Sequence, residues 1–356
     1  MGSSVYVGTF TPSRNGRGEG VYVFRMDEAS GELVHVQTLQ GVESPSFLAL
    51  HPTRPLLFCN NAASEGGVSA FAIDEATGAL TSLNRQSSGG AGPAHVSVHP
   101  GGRWVFGANY GSGSVCVLPL RDDGRLGPPT DVVKHQGPGG PVQGRQEGPH
   151  AHQIVPTADG RFVLANDLGL DRTYVYRPDT TSGKLVPNDP PFGRANPGAG
   201  PRHLAFHPGG RFVYVLNEID STVTAFAWDG ERGAMAPFQT VSTVPPGHAG
   251  GNSTAQVIAH PNGRFLYGSN RGHDSIALFS VDPGDGRLTP VGHVPTEGKT
   301  PRNFNLDPGA RFLYAANQDS DTIVVFRVED EGRRLEPTGH VARAGSPVCV
   351  LFRPSR

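Results

Sequence analysis

Cysteine is scarce in this sequence, and long apolar runs are missing. The three cysteines, Cys59, Cys116 and Cys349, form no Cys-x-x-Cys pair and are odd in number. Such residues are typical of small buried side chains in a reducing compartment rather than of a disulfide framework. No segment approaches the roughly 18 apolar residues of a membrane span, and the first residues lack the charged and apolar regions of a signal peptide. We therefore expect a cytoplasmic protein outside the membrane.

An excess of charge of one sign is also missing. Lysine and arginine number 30 against 32 aspartate and glutamate residues, which gives a formal net charge of −2. No run of basic residues stands out, so the electrostatic footprint of a nucleic-acid or membrane-surface binder is absent. No stretch keeps an apolar period of about 3.6 residues over several helical turns, so the sequence predicts almost no helix.

Glycine and proline, in contrast, are abundant, at 49 and 32 residues. They recur at regular places between apolar runs, which indicates turns rather than disorder. A His-Pro-x-Gly-Arg turn, or a relic of it, occurs seven times, with its first proline at positions 52, 100, 156, 208, 261, 308 and 354. A second series places a glycine two or three residues before a leucine or methionine, at Gly31, Gly78, Gly124, Gly183, Gly233, Gly286 and Gly332. Repeats of this length indicate one supersecondary unit each.

Short runs between these turns, such as residues 211–217, 264–270 and 311–317, are rich in β-branched and aromatic residues. They are typical of strands. Each unit predicts four strands, but the last unit stops after its first strand and the first unit lacks that strand. The sequence therefore predicts an all-β fold, a single seven-bladed β-propeller over residues 1–356, whose ring is closed by a blade built from both termini. An open solenoid or two sandwiches would not explain why the two partial units make one whole.

Residues that recur around the ring are expected to be structural. The turn histidines His51, His99, His207 and His260 belong to this class, since a catalytic group is not repeated from blade to blade. An Asn or Asp also recurs six residues beyond the turn arginine, as a residue that binds backbone in a turn. These positions are Asn60, Asn109, Asp167, Asn217, Asn270 and Asn317.

Function is expected where the repeats differ, on the opposite face of the ring. The residues six before each turn proline are Ser46, Ala94, His150, Arg202, Ala255, Arg302 and Val348. The residues four before it form an apolar series interrupted only by His152. The residues just beyond the recurring Asn or Asp are Asn61, Tyr110, Leu168, Glu218, Arg271 and Gln318.

These registers predict that His150, Arg202, Arg302, Glu218 and Arg271 meet at the mouth of the channel, with His152 beneath them. Two interpretations stay open. In one, the arginines bind a carboxylate or phosphate and the glutamate or a histidine moves a proton. In the other, an Arg–Glu network joins neighbouring blades. The glycine-rich segment 137–148 leads into this face and predicts either a loop whose N–H groups or Arg145 cover the ligand, or a plain linker.

Three segments, YVGTFT (6–11), RQEGPHAHQ (145–153) and GPRHLAFHPGGRFVYVLNE (200–218), carry a resemblance to a known family. The chain resembles, over its whole length, the propeller-type 6-phosphogluconolactonases, a family that also contains fungal 3-carboxy-cis,cis-muconate lactonizing enzymes. The resemblance implies a cofactor-independent enzyme acting on lactones or on the acids that form them. It implies catalytic roles for His150, with His152 as the competing choice, and for Arg202, Glu218 and Arg271. The expected substrate-binding residues are His152, Arg302, Arg145, Tyr110, Gln318 and His203.

The function predicted is hydrolysis of a sugar lactone, 6-phospho-D-glucono-1,5-lactone of the pentose phosphate pathway, to 6-phosphogluconate. No Ser-His-Asp arrangement or G-x-S-x-G elbow is apparent, which disfavours an acyl-enzyme. No metal is expected, because carboxylates on this face are few, mainly Asp167, Glu218 and Asp220. The alternatives are a muconate-type lactonizing cycloisomerase and a non-enzymatic scaffold. The expected partner is a small anionic lactone or carboxylate, without nucleic acid or membrane, on a monomer or weak homo-oligomer.

Overall fold

The β-branched and aromatic runs form the strands of seven four-stranded antiparallel sheets, as the computed structural model shows for residues 2–354. Helix in these residues is limited to three-residue 3₁₀ turns at Pro12–Arg14, Gln318–Ser320 and Asp330–Gly332. Each sheet is one blade, and its strands run outward from the central channel in chain order. The predicted all-β, seven-bladed propeller is confirmed.

The blades are numbered 1 to 7 along the chain. The chain begins in blade 7 with β1 (Ser4–Thr9), β2 (Gly20–Met26) and β3 (Leu33–Gln40). Blade 1 contains β4 (Pro45–Leu50), β5 (Leu56–Asn61), β6 (Gly67–Ile73) and β7 (Leu80–Ser87). Blade 2 contains β8 (Pro93–Val98), β9 (Trp104–Asn109), β10 (Ser114–Pro119) and β11 (Asp131–Lys134). Blade 3 contains β12 (Ala151–Pro156), β13 (Val163–Asp167), β14 (Arg172–Asp179) and β15 (Lys184–Arg194).

The second half of the ring repeats the same order. Blade 4 contains β16 (Pro201–Phe206), β17 (Phe212–Asn217), β18 (Thr222–Asp229) and β19 (Ala234–Ser242). Blade 5 contains β20 (Ser253–Ala259), β21 (Phe265–Arg271), β22 (Ser275–Val281) and β23 (Leu288–Pro295). Blade 6 contains β24 (Pro301–Leu306), β25 (Phe312–Asn317), β26 (Thr322–Glu329) and β27 (Arg334–Arg343). The chain ends in blade 7 with β28 (Pro347–Arg353), the inner strand of that blade.

Both termini build blade 7, as the sequence predicts. Strand β28 pairs with β1 in antiparallel register, with Ser4 opposite Arg353 and Val7 opposite Val350. Val350 and Val7 are buried with Phe312 in the apolar layer between blades 6 and 7. The pairing covers the backbone edge that β1 would otherwise expose, and it closes the ring.

Three of the turn histidines join their blade to the next one. The Nε2 atoms of His51, His99 and His207 donate to carbonyls in the following blade at 3.0, 3.1 and 2.9 Å; the acceptors are Gly102, Gly160 and Gly263. In His51 the other ring nitrogen accepts the backbone N–H of Arg54 at 2.9 Å. In His260, Nδ1 accepts the N–H of Asn262 at 3.3 Å. These contacts explain why the turns repeat.

The glycine series, in the turns between third and fourth strands, has a matching role at the same end of the blades. The hydroxyl groups of tyrosines in second strands donate to backbone oxygens of these glycines in the following blade, at O···O distances of 2.5 to 3.0 Å. The pairs are Tyr6 with Gly78, Tyr214 with Gly286, Tyr267 with Gly332 and Tyr314 with Gly31. Gly286 has a φ of +74°, and a Cβ there would lie 2.6 Å from the ring of Phe212 in blade 4. The turn therefore requires glycine for its backbone conformation and for the packing of the neighbouring blade.

Candidate active site

Every inner strand departs from regular pairing with its neighbour near its first residues, which is the geometry of a β-bulge. A bulge leaves one residue unpaired and re-aims its side chain. The residues at these irregularities are Ser46, Ala94, His152, Arg202, Ala255, Arg302 and Val348. Six of them, all but Ala255, line one cavity of about 410 Å³ in the channel. The bulges therefore contribute one side chain from each of six blades to the cavity.

This register corrects the place predicted for the two histidines of blade 3. The turn there is built on Thr157, whose N–H donates to Phe162 O as His99 N–H donates to Trp104 O in blade 2. Pro156 is therefore not equivalent to the turn prolines, and counting back from it gives positions two residues too early. His152, between paired residues Ala151 and Gln153, is the equivalent of Arg202 and Arg302.

His150 lies in the segment that leads into β12 and is not among the residues that line the cavity. Its backbone N–H donates to Asp167 Oδ1 at 2.9 Å, and its ring Nδ1 donates to Tyr110 O at 3.0 Å. The imidazole also stacks on the Tyr110 ring, with centroids 4.6 Å apart. Tyr110 itself lines the cavity, so His150 packs against a lining residue without lining the cavity itself.

Glu218 forms ion pairs with three arginines from different parts of the chain. It follows β17, at the position beyond the recurring asparagine that the sequence singles out. Its Oε2 accepts Arg202 Nε at 2.8 Å and lies 3.0 Å from Arg271 Nη2, and its Oε1 lies 2.5 Å from Arg145 Nη2. Arg202 also donates through Nη1 to the carbonyl of Ala255. The predicted residues Arg202, Glu218 and Arg271 are thus brought together.

Charge and burial oppose each other at this cluster. Glu218 is 8% exposed and Arg202 is 3% exposed. Burial raises the pKa of Glu218, but the arginines, led by Arg271 and Arg202, outweigh it and hold that pKa below its ordinary range. Glu218 is therefore an anion near neutral pH, with both carboxylate oxygens occupied.

Arg145 reaches this cluster from the glycine-rich segment, as one of its two interpretations predicts. The segment is fixed by Gln146, which is 1% exposed. The Gln146 amide donates to Leu168 O and to Asp171 Oδ1, both at 2.8 Å. The Arg145 side chain stays 38% exposed while it contacts Glu218, so it covers the carboxylate from the solvent side.

Three imidazoles lie close together at the cavity wall. His152 and His203 line the cavity, and their ring centroids are 5.2 Å apart. His95 lies 5.6 Å from His203, and its ring packs on Phe47 at 4.0 Å. Burial and then Arg202 lower the pKa of all three, that of His95 to about 3. These histidines are neutral at physiological pH.

Neither ring nitrogen of His152 hydrogen bonds to any residue in the described part of the chain, and Nδ1 is buried. His203, by comparison, donates through Nδ1 to Gln256 Oε1 at 2.5 Å. A buried polar nitrogen without a partner is costly. His152 is thus a neutral group with free hydrogen-bonding capacity that faces the cavity.

The N-terminal segment supplies two lining residues that the repeat analysis does not identify, Phe10 and Arg14. The ring of Phe10 lies under two guanidinium groups, with Cζ of Arg302 at 5.1 Å and Cζ of Arg14 at 5.9 Å from its centroid. Phe10 belongs to the YVGTFT segment at residues 6–11. Arg14 stands outside the repeats in a 3₁₀ turn, so no periodic pattern marks it.

Gln318 does not join the site. It lies in a 3₁₀ turn after β25, and its side chain amide donates to Asp319 Oδ1 at 3.1 Å. Its carbonyl accepts Arg17 Nη2 at 3.0 Å. It is not among the residues that line the cavity. The position one beyond the recurring Asn or Asp therefore reaches the site in blades 2, 4 and 5 but not in blade 6.

Within residues 2–354, no group of three or more His, Cys, Asp or Glu side chains has an arrangement that could hold a metal ion. The same residues contain no helix with the length and apolar character needed to cross a bilayer.

Comparison with known proteins identifies relatives along nearly the whole chain. A 6-phosphogluconolactonase of Bacillus subtilis is 37% identical over 303 residues, which are 85% of this chain and 84% of that protein. A 6-phosphogluconolactonase of Formosa agariphila is 31% identical over 310 residues, covering 85% and 86% of the two chains. The structure of the periplasmic gluconolactonase of Pseudomonas aeruginosa superposes with a TM-score of 0.92 at 33% identity, over 99% of each chain.

The family model described as lactonase, 7-bladed beta-propeller, matches residues 4–352. That range spans the first strand and the last, so it includes the two-ended blade as well as the site. The match agrees with the resemblance carried by the sequence segments and with the observed fold. The chain belongs to the seven-bladed β-propeller lactonase family.

Proposed function

We propose that this protein hydrolyses 6-phospho-D-glucono-1,5-lactone to 6-phosphogluconate in the channel cavity. Family membership supports lactone hydrolysis, and two relatives named 6-phosphogluconolactonase support the phosphorylated substrate. A volume of about 410 Å³ suits a small sugar derivative. The observation that carries the proposal is a neutral imidazole, His152, beside a buried guanidinium, Arg202, in one cavity.

In this reaction His152 acts as the general base. A water molecule attacks the lactone carbonyl carbon while His152 takes its proton. The low pKa of the imidazole keeps it in the base form near neutral pH. The resulting imidazolium is a strong acid, so it returns the proton to the ring oxygen as the carbon–oxygen bond breaks. The product is the open-chain acid, and no cofactor takes part.

Arg202 stabilises the oxyanion of the tetrahedral intermediate. Its Nε and Nη1 are occupied by Glu218 and by the Ala255 carbonyl. Nη2 forms no hydrogen bond with the residues that the structure describes, and the side chain lines the cavity. A fixed N–H donor directed at developing charge in a dry site is an effective catalytic device.

Glu218 orders the arginines in this mechanism and does not take the proton. Its two oxygens accept from Arg145, Arg202 and Arg271, and its pKa lies below the ordinary range of glutamate. Both carboxylate oxygens are engaged by guanidinium groups, whereas His152 lines the cavity without a hydrogen-bond partner in the part of the chain that the structure describes. The sequence leaves the base open between Glu218 and a histidine, and this geometry favours the histidine.

The test follows product formation by coupling 6-phosphogluconate to NADP reduction with 6-phosphogluconate dehydrogenase, above the spontaneous rate. We expect the wild type to accelerate hydrolysis and His152→Gln to lower kcat/KM at least about 100-fold, the usual contribution of a general base. His150→Gln is the matched control, since that histidine stacks on Tyr110 but does not line the cavity, and we expect less than about a tenfold loss, below the usual contribution of a general base.

Two results would contradict the proposal. Failure of the wild type to accelerate hydrolysis would remove the phosphosugar lactonase assignment and direct the search to muconate-type acids, the substrates of a lactonizing cycloisomerase. A full loss in His150→Gln with activity retained in His152→Gln would keep the lactonase and transfer the base to His150. The cytoplasmic location and the monomer or weak homo-oligomer stay predictions.

A further inference from the structure

Two arginines of the cavity have no acidic partner. The side chains of Arg14 and Arg302 line it, and neither forms an ion pair or hydrogen bond with another residue in 2–354. Arg202, Arg271 and Arg145 differ, because all three contact Glu218. The cavity thus has one side where Glu218 contacts the cations directly and another where it acts on Arg302 only without contact.

The charge balance calls for an anion from outside. Five arginines, Arg14, Arg145, Arg202, Arg271 and Arg302, share the site with one carboxylate, Glu218, a formal excess of four positive charges. Burial and then Arg271 lower the pKa of Arg302 to about 10, so Arg302 stays charged near neutrality. The cost of an uncompensated charge falls on Arg302, which is half-buried, while solvent screens the exposed Arg14.

The two unpartnered arginines share one platform. Both guanidinium groups lie over Phe10, with Cζ to centroid distances of 5.1 Å for Arg302 and 5.9 Å for Arg14. Arg14 also lowers the pKa of Arg302, which shows that the two cations act on each other. Like charges held together on one ring are suited to an anion that binds both.

The turn that carries Arg14 is fixed in place. The Arg14 N–H donates to Thr11 O at 2.9 Å, and the hydroxyls of Thr11 and Ser13 lie 3.1 and 3.0 Å from Ser44 Oγ. Ser44 precedes β4, so the N-terminal segment is attached to blade 1. Arg14 is exposed at the mouth of the cavity, whereas Arg302 projects from the bulge of β24 inside it.

We propose that Arg14 and Arg302 bind the phosphate group of the substrate over the Phe10 ring, with the lactone ring directed toward His152 and Arg202. The inference rests on the proposed function and adds the residues that select a phosphorylated lactone over an unphosphorylated one. A phosphate ester carries nearly two negative charges and three acceptor oxygens. Two arginine forks match that group better than they match a neutral hydroxymethyl.

The experiment compares Arg14→Gln and Arg302→Gln with the wild type on two substrates, 6-phospho-D-glucono-1,5-lactone and unphosphorylated D-glucono-1,5-lactone. Acid release is followed by a pH indicator for both. We expect kcat/KM for the phosphorylated lactone to fall at least about tenfold more than that for the unphosphorylated one, as for loss of a charge-assisted contact. Arg103→Gln is the charge-matched control, because Arg103 is exposed in the turn after His99 on the opposite face.

Calorimetric binding of 6-phosphogluconate and of gluconate gives a readout independent of turnover. We expect Arg14→Gln to raise the dissociation constant of 6-phosphogluconate. The dissociation constant of gluconate should change less. Equal losses on both ligands, or no loss on either, would overturn the phosphate site. A wild type that binds 6-phosphogluconate through Arg14 but hydrolyses neither lactone would keep the site and reject the proposed function.

Discussion

Glu218 is a buried carboxylate surrounded by more positive charge than it can neutralise. Its contacts with Arg202 at 2.8 Å, Arg271 at 3.0 Å and Arg145 at 2.5 Å hold three arginines at one side of the cavity. Removing one partner of a buried ion pair leaves the other charge uncompensated. The residue therefore determines both the position of the arginines and the stability of the channel.

Replacement of Glu218 by Gln tests this role. Because the native pKa of Glu218 is lowered, its stabilising effect is present above the unfolded value of about 4.3 and is lost as pH falls below it toward the native value. We expect Glu218→Gln to lower the free energy of unfolding by about 3 kcal/mol at pH 7, and the difference from wild type to shrink at pH 3.5. Urea unfolding at the two pH values measures it.

The control for this variant is Glu231→Gln. Glu231 lies 3.5 Å from Arg161, and its side chain is 86% exposed, so solvent screens the pair and no measurable change is expected. Equal stability of Glu218→Gln and wild type at pH 7 would show that the arginines hold their places without the carboxylate.

At the scale of the strand and turn, the two repeated motifs are contacts between blades. The turn histidines donate to carbonyls at one end of the next blade, and the tyrosines of second strands donate to glycine carbonyls of the second series. A side chain that leaves its own sheet to satisfy a carbonyl in a neighbouring sheet fixes the spacing of the blades. The cavity depends on that spacing, because six of the seven blades each contribute one bulge residue to it.

Tyr214→Phe tests one of these contacts. The tyrosine hydroxyl donates to Gly286 O at 2.9 Å, and its removal leaves a buried carbonyl unsatisfied. We expect a loss of about 1–2 kcal/mol in the free energy of unfolding. Tyr176→Phe is the matched control, since Tyr176 is 3% exposed and its hydroxyl has no partner among the described residues. Equal changes in thermal unfolding of the two variants would contradict the interpretation.

At the scale of the whole molecule, one strand closes the ring. Strand β28 buries Val348, Cys349, Val350 and Phe352, which are 1 to 8% exposed. Full burial of a valine or phenylalanine side chain contributes about 1.5–3 kcal/mol. The strand therefore contributes free energy comparable with the net stability of an ordinary protein, about 5–15 kcal/mol.

Deletion of residues 347–356 is expected to abolish the cooperative thermal transition and to produce aggregates, because the edge of β1 becomes exposed. Calorimetry and size-exclusion chromatography measure the two effects. The control deletes residues 354–356 only, which follow β28, and we expect wild-type behaviour. An unchanged melting temperature for the longer deletion would mean that the ring closes with three strands in blade 7.

Much of this protein follows from its sequence alone. The spacing of the turn prolines and of the glycine series determined the number of blades, and the partial first and last units determined how the ring closes. The pattern of strands and turns is repeated seven times, so one irregular copy does not change the predicted fold. The same registers led to Arg202, Glu218 and Arg271, because their blades keep the standard turn and spacing.

Only the tertiary structure decided the remainder of the site. His152 replaced His150 in the channel register because Thr157 occupies the place of the turn histidine, and that equivalence depends on backbone hydrogen bonds rather than on residue counting. Arg14 and Phe10 meet Arg302 because ring closure brings the first residues beside blade 6, far along the chain. Periodicity predicts positions within a repeat, whereas contacts between a non-repeated segment and the ring exist only after the chain has folded.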